Sequence, residues 1–261
     1  MIEFISIQKD ILAAWDASIH DSLSPYIEKP LLQLDQADLE TILEHEEELI
    51  SVFNECTYEL FNLKCCRNYM FMLFDKNLSL ISSANYTEEK KILDDKALVV
   101  GASFAASSVG VNAVNLAAEK DLPVYLDAHQ HFCVFLRDFY SSAIPLKMSG
   151  ESIGFLKIMT TNKESIQQHR YLLDLLSNAM MYKLHLFQCR KHKNMLSKLQ
   201  LRILSLLANG KTEAEIAKGL NYSIQTIKYH KHEIYSKFNV KNTPDAITKL
   251  YKYNDSKCSF K

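Results

Sequence analysis

The segment from Ser197 to Leu250 leaves this chain the least choice of structure, because helix starts and stops follow one another there with almost no slack. Ser197 and Gln200 are spaced as a capping box, in which the hydroxyl accepts an orphan N–H and the Gln side chain reaches back. Leu199, Ile203, Leu206 and Leu207 then recur at helical spacing, and Asn209-Gly210 supplies a left-handed stop. Thr212 and Glu215 repeat the capping box and open a second helix through Ile216, Ala217 and Leu220. After a turn at Asn221-Tyr222, Ser223 is a good N-cap for a third helix that keeps Ile227, Ile234 and Phe238 on one face. Thr243-Pro244 starts a fourth, with Thr as the cap and Pro at the first helical position. A region so punctuated is all-α.

Two short helices with a tight turn, the second longer and cationic, form a helix-turn-helix, whose second helix enters the major groove of DNA. Away from its apolar stripe that helix carries Gln225, Lys228, Tyr229, Lys231, His232 and Tyr235, side chains able to reach phosphates and base edges. The run Gly210-Lys-Thr-Glu-Ala-Glu-Ile-Ala217, then Leu220-Asn-Tyr-Ser223, Thr226-Ile-Lys228, His230, Ile234, Lys237-Phe-Asn-Val240 and Ala246 resembles the LuxR-type DNA-binding domain almost step for step. The resemblance implies that Thr226 and Lys228 contact phosphate and DNA, and that Lys228, Tyr229 and His232 fall where the family reads bases. Thr212, Ser223, Gln225, Lys231 and Lys237 complete the expected DNA contacts. Three positions depart from the family. Lys231 replaces an apolar residue, so its stem is expected over the core with its head toward phosphate. Thr243 stands where the family usually carries Arg, and Gln200 where it usually has Glu, which puts two local salt bridges in doubt.

The net charge of −1 hides an uneven split. From Arg190 to Lys261 there are 15 Lys/Arg against 5 Asp/Glu, while the other 189 residues hold 15 against 26. A basic module on an acidic body fits a DNA-binding head whose partner region does not itself bind polyanions. Six cysteines (Cys56, Cys65, Cys66, Cys133, Cys189, Cys258) make no C-x-x-C pair and no zinc spacing. With no signal peptide evident, reduced thiols and a cytoplasmic location are expected. No apolar run is long enough to cross a bilayer, so no membrane partner is expected.

Before the head, the pattern alternates between helical and strand periods. Ile7, Ile11, Leu12 and Trp15 lie on one side of a first helix, which breaks at Ser24-Pro25 and Pro30. Asp35 is expected to cap a helix running to about Leu63, with Glu44 to Glu48 solvated. Tyr69–Phe74 and Leu78–Ser83 read as strands joined at Asp75-Lys-Asn77, and Thr87–Leu98 as a charged loop or short helix. A helix over Val111–Ala118, a short strand at Pro123–Leu126, a connecting segment from His129 to Phe135 and a hairpin of Phe139–Leu146 with Ser152–Met159 complete the set. Five strands with helices before, between and after imply an α+β fold: an antiparallel sheet flanked by helices, then a long connecting helix, then the all-α head.

Trp15 with Ser18, the strand ending in Asp75, Gly110-Val-Asn-Ala-Val114, Pro123-Val124, His131-Phe132, Ala143-Ile-Pro145 and Gly150–Gly154 resemble the GAF-type sensory domain of acetoin-catabolism activators. The resemblance spans roughly Ile11 to Met159. It implies a small-molecule pocket, for which Phe71, Phe104, Asn112, His131, Phe132 and Phe135 are the candidates. Val111 replaces the usual Thr and Phe104 a usual Trp, so the pocket chemistry is expected to differ. That family attaches its sensor to an ATPase, but no Gly-x-x-x-x-Gly-Lys loop occurs here and ATP hydrolysis is not expected.

The domains expected are a sensor over 1–160, a connecting helix over 161–195 and the head over 196–261. Thr161 and Glu164 form a capping box for the connecting helix, where Leu172, Leu175, Ala179, Tyr182, Leu186 and Cys189 fall on a heptad seam. That seam serves either a homodimer contact or packing on the sensor's own sheet. His129 and His131, two apart, would share a face in a strand, yet no third metal ligand is evident, so no metal is assigned. Cys65-Cys66 is a weak redox candidate, because adjacent cysteines rarely close on each other. The expectation is a transcription regulator with no catalytic residue and no cofactor. Its partners would be double-stranded DNA, a small-molecule effector, a second copy of the chain and, as a further candidate, RNA polymerase. The alternatives are a quorum-sensing-type regulator binding an acyl-homoserine lactone, and a GAF-fold enzyme or redox sensor using Cys133 or Cys65.

Overall fold

A computed structural model of the chain describes residues 8–255, except 21, 63–65, 67, 86–90, 92 and 164–165. The chain divides into two compact units, Met1–Lys183 and Leu184–Lys261. The first is α+β. Helices α1 (Gln8–His20), α2 (Gln36–His45) and α3 (Glu47–Asn62) precede strands β1 (Met70–Phe74) and β2 (Leu80–Ala84). Then come α4 (Ala106–Val109), α5 (Ala113–Lys120), β3 (Val124–Leu126), β4 (Tyr140–Met148), β5 (Glu151–Thr160) and the long α6 (Ile166–Met195). The strands form one antiparallel sheet, as the alternation implied, and their order is β2-β1-β5-β4-β3.

All five residues of β1 are buried, so the sheet is covered on both sides. Met72, Lys157 and Ala143 are register partners across β1, β5 and β4, and Val124 continues the row onto β3. Side chains of one such row point the same way. This row faces a core layer that holds Phe104, Val114, Leu116, Ala117 and Phe132, with α5 lying over it. The row one residue along (Phe71, Ile158, Ser142, Tyr125) faces the other way. There Phe71 meets Phe61 of α3, and Ser142 bonds His169 of α6.

Several local expectations are corrected. Asp35 does cap, accepting the Asp38 N–H, but the helix it starts ends at Glu46 and does not run to Leu63. The break separates α2, which fully buries no side chain, from α3, which buries Leu49, Val52, Phe53, Cys56, Thr57 and Leu60 and packs on the sheet. On α1, Ile11 is buried but Leu12 is 67% exposed; Ile7 lies outside the described residues. β2 begins at Leu80, because the Asp75 carboxylate accepts the N–H of both Asn77 and Ser79 and so extends the turn. Of the charged segment 87–98, residues 93–95 are helical, as one of the two readings expected, while 87–90 and 92 lie outside the described residues, as does Glu164 of the expected capping box.

Helix α6 has two apolar sides. Leu173, Leu176 and Met180 are buried, with His169 on the same side. The seam expected from sequence is a different stripe: Leu175 is 52% and Tyr182 58% exposed, while Leu172, Ala179 and Leu186 are half-buried. The side chain of Cys189 lies outside the description. Lys183 pairs with Glu55 and Glu59 and so ties α6 to α3. Packing on the sheet therefore uses one stripe and leaves much of the heptad stripe in solvent.

The second unit is helical: α7 (Lys198–Ala208), α8 (Glu213–Leu220), α9 (Ile224–Phe238) and α10 (Thr243–Asp255). Both capping boxes form, Ser197 with Gln200 and Thr212 with Glu215. Ser223 caps α9, and Gly210 (φ +75°) follows α7 in the left-handed region that favours glycine. Its core gathers Ile203, Leu204, Ile216, Ala217, Ile227, Ile234, Phe238 and Ala246. The fourth start is shifted by one residue. Asn242 is the cap, accepting the Asp245 N–H, and Thr243 and Pro244 are already helical, leaving the Thr243 hydroxyl to bond Tyr235. Among the described residues no helix is long and apolar enough to cross a membrane.

Candidate nucleic-acid interface and sensor interior

Residues 225, 228, 229 and 232 are spaced i, i+3, i+4 and i+7, which places them on one side of α9. Gln225, Lys228, Tyr229 and His232 are all exposed, Tyr229 by 61%, while Ile227, Ile234 and Phe238 on the opposite side are buried. The helix therefore turns a polar, cationic face to solvent because its apolar face is consumed by α7 and α8. At its N-terminus Ser223 accepts the Thr226 N–H, and the two hydroxyls bond each other at 2.8 Å. Thr212 caps α8, its own N–H and hydroxyl both donating to the Glu215 carboxylate, which holds that carboxyl below its ordinary range. Ser223, Thr226 and Thr212 thus stand at helix starts whose free N–H groups favour phosphate.

Two expected contacts are committed elsewhere. Lys231 Nζ lies 2.8 Å from the Glu213 carboxylate and above the Tyr235 ring, an arrangement that raises its pKa. Its head points to α8 and not to solvent phosphate, because an acidic partner one helix away is nearer. Lys237 donates to Gln200 Oε1 at 3.0 Å, so an ammonium-to-amide hydrogen bond joins α9 to α7. Thr243 substitutes a hydroxyl contact with Tyr235 for the family's Arg. Lys249 adds a bond to the Phe238 carbonyl at the end of α9.

In the first unit the six sensor candidates do not converge. Phe71 faces α3, on the far side of the sheet from the others, because it alternates with Met70 and Met72. Phe104, Phe132 and Phe135 belong to the core layer on the α5 side, and His131 and Asn112 are fully buried. Asn112 has no bonding capacity left for a ligand. Its Oδ1 accepts the N–H of Val114 and Asn115 at the start of α5, and its Nδ2 donates to the carbonyls of Phe104 and Gly110. The Gly-x-Asn-Ala motif is therefore structural: Gly110 sits at φ +61°, and a Cβ there would fall 2.3 Å from the Phe132 ring.

The His131-Phe132 segment is pinned from outside. Arg137 donates to both their carbonyls and stacks over Trp15, whose Nε1 bonds the Gln130 carbonyl. His131 Nε2 lies 2.8 Å from Ser141 Oγ, and the Phe139 backbone also holds the ring. Burial, then the Lys157 charge nearby, pushes its pKa well down, so the imidazole is neutral. His129, two residues earlier, is exposed on a 3₁₀ turn, and the pair shares no face. Among the described residues no group of His, Cys, Asp or Glu side chains is placed to hold a metal.

Sequence reasoning missed Lys157. It is fully buried in β5, its Nζ hydrogen-bonds to no protein atom and lies 4.7 Å from the Phe104 ring centre, and burial pulls its pKa down to about 7. The signal was a lone lysine in phase with Phe155 and Met159 along an otherwise apolar strand. On the other face His169 bonds Ser142 at 2.8 Å between the rings of Tyr69 and Tyr125, and burial brings its pKa to about 4. The thiols offer poor nucleophiles: burial pushes Cys56 up to about 11 and Cys133 up to about 12. Cys65 lies outside the described residues.

A family profile for bacterial regulatory proteins of the luxR family (GerE) matches residues 194–250. A search of curated proteins finds no significant match. Among solved structures, the Escherichia coli DhaR(N)–DhaL complex aligns at 17% identity with a TM-score of 0.62, covering 73% of this chain and 66% of that one. So the chain spans just under two thirds of that relative, and the shared span is much longer than the luxR segment, so it takes in most of the α+β unit. SdiA of Escherichia coli aligns at 17% identity over 83% of this chain and 95% of that one, with a TM-score of 0.33. A GAF domain/HD domain protein from Geobacter sulfurreducens aligns at 16% over 52% and 93%, with 0.37. The last two scores are too low to establish a shared fold. Residues 194–250 constitute a LuxR-family helix-turn-helix domain. Over the remainder, the likeness to the DhaR(N)–DhaL complex is one of fold.

Proposed function

We propose that the chain is a ligand-responsive transcription factor in which a GAF-like sensor (1–160) acts through a connecting helix (161–195) on the DNA affinity of the head (196–261). The observation that carries this reading is the face of α9, where Gln225, Lys228, Tyr229 and His232 stand exposed opposite a buried apolar stripe. In this reading Lys228, Tyr229 and His232 read base edges, Thr226, Ser223 and Thr212 hold phosphate, and Lys231 and Lys237 brace the helix. A second copy of the chain docks through the exposed stripe of α6 around Leu175 and Tyr182, since one helix-turn-helix binds weakly and symmetric operators require two heads. RNA polymerase is the downstream partner.

Control is linkage: an effector that binds one dimer geometry better shifts the DNA-competent population. A tenfold change in DNA affinity needs only about 1.4 kcal/mol of differential binding. The test is a fluorescence-anisotropy titration of mixed-sequence duplex against salt. With about three phosphates neutralised per head, a dimer gives a log–log slope near −5; a slope near zero contradicts the reading.

A further inference from the structure

The core layer on the α5 side of the sheet contains a fully buried amine that the protein does not satisfy, Lys157 Nζ, close to the buried His131, whose ring is held by Ser141 and by the Phe139 backbone. They are neighbours in charge, since Lys157 lowers the His131 pKa. Buried amines ordinarily find a carboxylate or carbonyl, because an unpaired one forfeits its hydration for nothing. Of the buried carboxylate oxygens among the described residues, Asp75 Oδ1 is taken by the N–H groups of Asn77 and Ser79 at the far turn, and Glu48 Oε1 belongs to α3, the helix that packs on the opposite face of the sheet. Arg137 on the rim adds positive charge and no acid. The surroundings of Lys157 are otherwise apolar: Met72 and Ala143 beside it, Phe104 over it, and Phe132 and Val114 in the same layer.

We infer that Lys157 is the anchor of a buried site for a small monocarboxylate with an apolar body, the carboxylate pairing with Nζ and the body lying among Phe104, Met72 and Phe132. The shape of the ligand follows from the layer: one anionic end, no further charge, and a body that exchanges water for aromatic and aliphatic contacts. A groove of about 500 Å³ between α1 and α5 is walled by Ala14 and Ala17 and floored by Leu78, Val111 and Leu116, of which the last two belong to this core layer; it does not itself touch Lys157, so in this proposal the ligand enters by displacing side chains of that layer. The lowered Lys157 pKa adds a signature. A carboxylate arriving beside a largely neutral amine restores its proton, so binding takes protons from the buffer.

This inference rests on the sensor reading above for its place in control, but its own test does not need DNA. The full-length protein is titrated calorimetrically at mildly alkaline pH with butyrate, hexanoate and benzoate, and with the matched alcohols and methyl ketones, in buffers of different ionisation enthalpy. At least one carboxylate is expected to bind with uptake of about one proton and to raise the melting temperature of the sensor unit. Lys157→Met, which replaces the amine by an apolar chain of similar length, is expected to fold with a higher melting temperature and to bind that carboxylate at least about tenfold more weakly. Failure of every carboxylate, binding without proton uptake, or equal binding by the Met variant overturns the site. Alcohols or ketones that bind while carboxylates do not overturn it as well, yet leave the sensor reading standing if they change DNA affinity. Conversely, a carboxylate that binds as described but leaves DNA affinity unmoved keeps the site and removes its role in control.

Discussion

The two units treat their polar groups in opposite ways. In the helical head nearly every polar side chain that leaves solvent is spent on a cap or a helix-to-helix bond: Ser197 with Gln200, Thr212 with Glu215, Lys237 with Gln200, Lys231 with Glu213. Its functional groups stay outside, on a face that forms whenever the helices form. In the sensor unit the caps are equally well made, as at Asn112, but Lys157 and His169 each hold an unsatisfied nitrogen in the interior. The head leaves one buried nitrogen unpaired, His230 Nδ1, and keeps its candidate DNA contacts in solvent; the α+β unit gives up stability to hold a buried, unpaired lysine, as the proposed sensor role would require.

The contrast can be broken most forcefully at Gly110. Gly110→Val forces a positive φ and a clash with Phe132, and should cost the sensor unit about 3 kcal/mol or more while sparing the head. Two calorimetric transitions, with only one displaced, are expected; a shift of both would deny that the units are separately stable. Next in size is the response to alkali. In the fold Lys157 loses its proton around pH 7, whereas in the unfolded chain it stays charged up to its ordinary value of 10.5. The unfolded state therefore binds more protons between these values, and sensor stability should rise with pH across them. Lys157→Met should flatten that rise.

Acid acts in the same direction through the histidines. The pKa values of His131 and His169 are both lowered from 6.5, that of His169 to about 4. The stability they permit is complete above 6.5 and is lost as pH falls toward 4, because the unfolded rings take protons that the buried ones refuse. Thermal scans should show the sensor transition dropping through that window, with part of the drop removed in His169→Asn. Smaller effects belong to the head. Asn242→Ala removes a cap and should cost about 1 kcal/mol. Glu213→Gln breaks only a partly exposed ion pair and should cost less than about 1 kcal/mol, leaving duplex affinity nearly unchanged.

The same contrast explains what could be read before the structure. Caps, stops and apolar stripes are encoded within a few residues of one another, so the head's helices, its turn and the outward face of α9 followed directly from Ser197–Leu250. The strands and their antiparallel arrangement were legible for the same reason. What escaped depends on distance through space. Phe71 was grouped with Phe104 because both are aromatic, although strand alternation puts Phe71 on the opposite face. Asn112 looked like a pocket residue, but its amide is consumed by backbone groups at Phe104 and Gly110 that no local pattern identifies. Lys231 pairs with Glu213, a residue of another helix, which its own helix's pattern does not reveal. Lys157 passed unnoticed because one lysine in a strand ordinarily faces water. On α6 the sequence offered one seam with two alternative uses, whereas the sheet is covered by a different stripe, Leu173, Leu176 and Met180.

The measurement that bears most directly on the central claim is duplex binding by the full-length protein carrying Lys228→Ala and His232→Ala together. Both side chains are exposed on α9 and make no contact that supports the core, so folding should be retained, as checked by circular dichroism. Loss of about 1–3 kcal/mol of affinity, with a salt slope shallower by about one, is the expected result. Unchanged affinity and an unchanged slope in a properly folded variant would contradict the account.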